Sequence, residues 1–133
     1  MNQLFSSVFP TGEKNTAFGN YFVGQSYLNM LSTSGVAIGN VTFEPGCRNN
    51  WHIHHKGGQI LLVTAGRGYY QEWGKPAQEL HPGDVVHIPP EVKHWHGAAP
   101  DNWFAHLAVE VPVEEASNEW LEAVSDADYQ KLR

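Results

Sequence analysis

Between Val36 and Val111 the chain is a series of short apolar runs, each closed by glycine or proline. Val36-Ala-Ile-Gly-Asn-Val-Thr-Phe43 is rich in β-formers and stops at the turn signal Glu44-Pro45-Gly46. Gln59 to Thr64 is a second run, ended by Ala65-Gly66, and Gly68 to Glu72 can follow as its hairpin partner, closed by Gly74-Lys75-Pro76. The turn Pro82-Gly83-Asp84 launches Val85-Val-His-Ile88, which breaks at Pro89-Pro90, and segments 93–96 and 103–111 complete the series. Short strands at such turn-punctuated spacing predict an all-β sandwich or barrel. Residues 1–35 lack a core pattern and read as an N-terminal arm or edge strands. In segment 112–133, Trp120, Leu121 and Val124 fall at helical spacing and Ser125-Asp-Ala-Asp128 resembles a capping box. This tail is expected to form one or two short helices on the outside of the barrel.

Composition agrees with a single β domain. The 133 residues suffice for one core, and 13 Gly and 8 Pro against only 17% charged residues suit strands and turns. The formal net charge is −6, with the eight Lys and Arg scattered, which argues against a nucleic-acid partner. Seven of the fourteen acidic residues lie between Glu110 and Asp128. A single cysteine, Cys47, allows no intrachain disulfide and suits a reducing compartment, where it is a bystander. The start, Met-Asn-Gln-Leu-Phe-Ser-Ser, has no signal-peptide pattern, and no apolar run reaches the roughly 18 residues of a membrane helix. A cytoplasmic protein without a membrane partner is expected.

The chemistry concentrates in histidine. His52 and His54 are two apart in an extended segment, so their imidazoles share a face; Gln59 follows closely, and the fold must return His94 to them. Three imidazoles and an amide oxygen leave coordination positions open on a divalent ion. They also leave its charge uncompensated, which favours an anionic partner and strong Lewis acidity. Nitrogen and oxygen donors without thiolate suit Mn, Fe, Co, Ni or Zn. The alternatives are hydrogen-bonded barrel histidines without an ion, and a Gln59 amide that only bonds a neighbour. His96 shares a face with His94, and His106 with Phe104, Ala108 and Glu110; facing inward, either histidine could be a general base near its ordinary pKa. His96 could instead support the wall, and His106 could orient a ligand. Trp51, Trp95 and Trp103 stand beside these positions as core residues or as an apolar mouth for a substrate pocket that also includes His96 and Glu110. His55, His81 and His87 read as surface or structural.

Together these residues resemble the cupin superfamily. Gly46, His52, His54, Gln59 and Gly66 match its first motif in spacing, with Gln where Glu is usual, and Pro82-Gly-Asp84, Ile88-Pro-Pro90 and His94 match the second more loosely. The resemblance covers about residues 36–111 and implies a single-domain jelly-roll barrel with the metal inside, usually a homodimer that exchanges or packs N-terminal strands. The segments Val41–Gly46, Gly83–Val86, His94–Pro100 and His106–Ala108 are similar to small bacterial cupins that include manganese-dependent hydroxynitrile lyases. Those enzymes hold manganese with three His and one Gln and keep a further pocket histidine, which His106 matches as the catalytic base. The chain departs from them twice: four residues rather than three separate His54 from Gln59, and Glu110 replaces a Gln. The implied function is a metal-dependent lyase acting on a small carbonyl or cyanohydrin-like molecule. A mononuclear dioxygenase of the quercetinase-like type and a non-catalytic binding module are the alternatives.

Overall fold

The computed structural model describes residues 7–132, which form two antiparallel sheets packed face to face. Met1 to Ser6, within the stretch where no signal peptide is expected, lie outside the described residues. In chain order the strands are β1 (Glu13–Lys14), β2 (Phe22–Val23), β3 (Ser26–Ser32), β4 (Ile38–Phe43), β5 (Arg48–Asn49), β6 (His52–His55) and β7 (Gln59–Gly66). They continue as β8 (Gly68–Glu72), β9 (Gln78–Leu80), β10 (Val85–Ile88), β11 (His94–Ala98), β12 (Phe104–Glu110) and β13 (Ser117–Trp120). A 3-10 turn at Gly19–Tyr21 and the helix α1 (Asp126–Tyr129) are the helical elements described. One sheet runs β1-β3-β4-β12-β7-β10; the other runs β13-β6-β11-β5-β2, with β8 and β9 added beside β11. The expected all-β jelly-roll with a short C-terminal helix is the architecture found.

Burial follows the strand period of two. On β7, Gln59, Leu61 and Val63 are buried, whereas Ile60, Leu62 and Thr64 are half-buried. Inward residues of both sheets, among them Phe43, Leu61, Ile88, Ala98 and Phe104, make one core. Strand β11 is buried on both faces because a second, smaller cluster of Trp51, Tyr69, Trp95, Val124 and Tyr129 forms where the C-terminal segment covers the outside of its sheet. Gly66, which ends β7, has φ +80° and sits against the Trp103 carbonyl so closely that a Cβ would lie 1.9 Å from its oxygen. No other residue fits that junction between β7 and β12.

The C-terminal segment corrects one expectation. Ser117–Trp120 is a strand paired with β6, not part of a helix. The helical spacing of Trp120, Leu121 and Val124 is real, but the open edge of β6 offers backbone partners that a short, acidic helix could not match. Only α1 is helical there, and Ser125 caps it by accepting from the Asp128 N–H at 3.1 Å. The N-terminal segment supplies β1 to β3, and Asn29 and Asn40 tie it down by donating to the Pro10 carbonyl at 3.0 and 2.8 Å.

Buried Arg48 holds the C-terminus in place. Its guanidinium donates to the Val124 carbonyl at 2.9 Å and to Asp126 at 2.6 Å, and lies 4.2 Å from the centroid of the Tyr129 ring. Arg48→Ala would orphan a buried carbonyl and remove a cation–π contact, so it should lower unfolding free energy by about 2–4 kcal/mol. Asp126→Ala, at an exposed carboxylate, should cost less than about 1 kcal/mol. Chemical denaturation of the two variants checks the contrast; equal losses would contradict it.

Candidate metal centre

Strand parity turns His52 and His54 of β6 inward and leaves His55 outside, where it bonds Glu91 and Glu119 at the surface. His94 starts β11 directly opposite His52, so the sheet returns it to the pair. All three rings are buried, and they offer nitrogen atoms within 4.8 Å of one another.

The hydrogen bonds assign their protons. Nδ1 of His52 donates to the Asn50 carbonyl at 2.8 Å, Nδ1 of His94 to the Val92 carbonyl at 2.9 Å, and Nδ1 of His54 to the Asn118 Oδ1 at 2.7 Å. Each acceptor is an oxygen, so each Nδ1 carries hydrogen and each Nε2 keeps a bare lone pair. Nε2 of His54 and of His94 are buried with no hydrogen-bond partner. Clustered lone pairs without a donor are costly unless a cation meets them, and three imidazoles so oriented suit a divalent ion. Gln59 adds an oxygen nearby. Its Nε2 donates to Glu110, its cross-strand partner on β12, and its Oε1 is buried without a partner.

Two further histidines are buried beside them. His96 and His106 meet at 3.1 Å between Nδ1 and Nε2, and Asn49 accepts from the His96 backbone N–H at 2.9 Å while its amide nitrogen faces the ring. The register of β12 against β7 shifts between Ala105 and His106, just where the chain presents this side chain. The expectation of an ordinary pKa fails here. Burial pushes His94 and His106 down to about 4, and holds His52 and His96 well below the usual imidazole range, with neighbouring histidines adding to the effect for His52 and His96. These four rings are neutral at neutral pH.

That burial has a cost in acid. An unfolded chain protonates His106 near 6.5 and the folded chain only near 4, so the contribution of His106 to stability falls as pH drops through this window and is constant above it. For His106 alone the loss is about 3 kcal/mol. Denaturation of metal-free protein between pH 7 and 4 should show the decline; a flat profile would contradict it.

A cavity of about 310 Å³ opens over these groups. His96, His106 and Glu110 line it, beside His52, His54 and Gln59. The expected tryptophans do not. Trp51 and Trp95 are sequence neighbours of His52 and of His94 and His96, so alternation turns them away into the outer cluster. Trp103 stacks on Tyr27, 6.3 Å between centroids. The apolar mouth is built instead from Phe18, Phe22, Leu28, Met30, Val41 and Trp120. Trp120 stacks on the His52 ring at 4.6 Å between centroids, and Tyr21 lies parallel to the indole, also at 4.6 Å. Asn118 and Trp120 escaped the sequence reading because their segment carried a helical spacing; their separation by two was the available signal for a strand.

Known proteins share this family and fold. A family model described as "Cupin domain" matches residues 39–108. The (R)-mandelonitrile lyase of Granulicella tundricola is 48% identical over 96 residues, covering 72% of each chain. The crystal structure of a cupin-like protein from Thermotoga maritima superposes with a TM-score of 0.87 at 44% identity, over 96% of this chain and 97% of the other. A DMSP lyase from Ruegeria pomeroyi shares the fold alone, with a TM-score of 0.62 at 19% identity over 91% of this chain and 63% of its own. With a family model across more than half its length and a relative 48% identical over 72% of the chain, this chain belongs to the cupin family.

Proposed function

We propose that this cupin is a metal-dependent lyase for a small, neutral carbonyl or cyanohydrin-like compound. The observation that carries the reading is a division of labour among buried histidines: three bring ring nitrogens within 4.8 Å of one another, and two more line the cavity that opens over His52 and His54. His52, His54, His94 and the Gln59 Oε1 would hold the ion, with manganese favoured by the similarity to the lyase and Fe, Co, Ni or Zn compatible with the donors. Bound there, a divalent ion supplies Lewis acidity toward a carbonyl oxygen or an anionic leaving group.

The chain's own groups do the rest. Neutral His106 accepts the proton of a substrate hydroxyl as the hydroxyl-bearing carbon's bond to the leaving group breaks. The carbonyl forms, the leaving group (cyanide, for a cyanohydrin) departs with the electron pair, and the contact with His96 helps the ring pair hold the added proton. Asn49 fixes His96 through the backbone and the ring, so the acceptor pair does not swing. The apolar mouth orients the rest of the substrate and limits water.

Cyanide release from mandelonitrile by manganese-loaded protein, against a metal-free control, tests the reading. No turnover with the metal shown to be bound would end the lyase proposal. Oxygen uptake on a phenolic or diketone substrate would favour a dioxygenase instead, and ligand binding without turnover a binding module. A cytoplasmic homodimer belongs to the same proposal, and a monomeric sedimentation profile would remove the dimer.

A further inference from the structure

We propose that Glu110 is a positioning residue: it fixes the Gln59 amide with its oxygen free for the metal and places a negative charge just outside the ligand set. The inference rests on the reading that His52, His54, His94 and Gln59 hold a divalent ion.

An amide has two ends of opposite character, and only the oxygen can ligate a cation. A free glutamine could present either. Glu110 removes the choice, because a carboxylate only accepts hydrogen bonds and therefore must meet the Gln59 Nε2. Oε1 is then the end left over, and it is buried without a partner in the wall of the cavity that His54 also lines. The pair is held by the sheet rather than by a loop, since Gln59 and Glu110 stand opposite each other in the register of β7 and β12.

The same carboxylate changes the electrostatics of the centre. Three neutral imidazoles and a neutral amide leave the ion's charge whole, but the second oxygen of Glu110 is 4.0 Å from the His54 Nδ1, and the side chain also lines the cavity. A negative group so placed strengthens cation binding without occupying a coordination position. It also opposes any anionic molecule entering the cavity, so Glu110 selects for neutral substrates over carboxylates.

Two variants separate the roles. Glu110→Leu removes both the acceptor and the charge; Glu110→Gln keeps an oxygen that can accept from Gln59 but loses the charge. Mn²⁺ affinity, measured by competition with a chelator, should fall at least tenfold in E110L and less in E110Q. Azide titrated onto manganese-loaded protein and followed by electron paramagnetic resonance should bind several-fold more tightly to E110Q than to the wild type. Unchanged Mn²⁺ affinity in E110L would overturn the positioning role, and unchanged azide affinity in E110Q the electrostatic one, each with the metal centre intact. If E110L does not fold, the azide arm still decides the electrostatic role, and Glu110→Ala, read by the same chelator competition, decides the positioning one: a roughly tenfold loss of Mn²⁺ affinity supports it and unchanged affinity overturns it. A wild-type protein that binds no divalent ion would instead overturn the metal reading, and this assignment with it.

Discussion

His54→Ala should leave the protein with essentially no bound metal after dialysis, a loss of affinity of more than about a hundredfold. The ring is one of three buried imidazoles with nitrogen atoms within 4.8 Å of one another, and two imidazoles with an amide leave most of the ion's coordination to water. His52→Ala should behave in the same way. The loss should be graded outward: Gln59→Ala weakens binding without abolishing it, and Asn118→Ala, which frees the His54 ring to turn, costs about tenfold. His55→Ala is the internal control, because that ring points to solvent and bonds surface carboxylates. Elemental analysis of the series checks the gradient. Full metal in His52→Ala, His54→Ala and Gln59→Ala alike would show that the centre is elsewhere or absent.

His106→Ala should do the reverse, keeping the metal and losing turnover by about 10²–10⁴-fold, the usual span for a positioned acid–base group. His106 touches His96, not the three clustered rings' nitrogens, so metal content has no reason to change. The pH profile gives the sharper check. A general base must be neutral to act, and burial holds His106 at about 4, so activity should stay level down to about pH 5 and fall below it as the ring takes up a proton. An acid limb centred near 6.5 would point to another base. A binding module predicts that His106→Ala leaves ligand affinity in place and has no rate to lose.

Much of the site was legible because it obeys one rule. A His-x-His pair on a strand must share a face, and a buried face is where such a pair goes. The same rule, applied one residue further, places Trp51 and Trp95 on the opposite side; their nearness in sequence to the histidines was itself the reason they could not line the cavity. Gly66 was visible as the end of a motif, although its crowding against Trp103 belongs to the packed sheet. What escaped was decided by partners distant in sequence. Ser117–Trp120 becomes a strand because β6 has an edge to fill, and no local pattern records that edge. His106 lies deep because two sheets close over it, which a strand read alone cannot express. The pairing of Gln59 with Glu110 depends on the register of β7 with β12 across an interval of 51 residues.

The stack on His52 has a consequence of its own. Trp120, from the C-terminal segment, is layered onto a ring assigned to the metal, and Tyr21, from the N-terminal segment, is layered onto Trp120. The two segments thus meet at the indole that rests on His52. An ion that steadies His52 steadies that meeting, so cation occupancy and protection of both ends from proteolysis should rise together. The indole, 4.6 Å from the His52 ring, gives the protein an intrinsic optical gauge of whether its centre is filled.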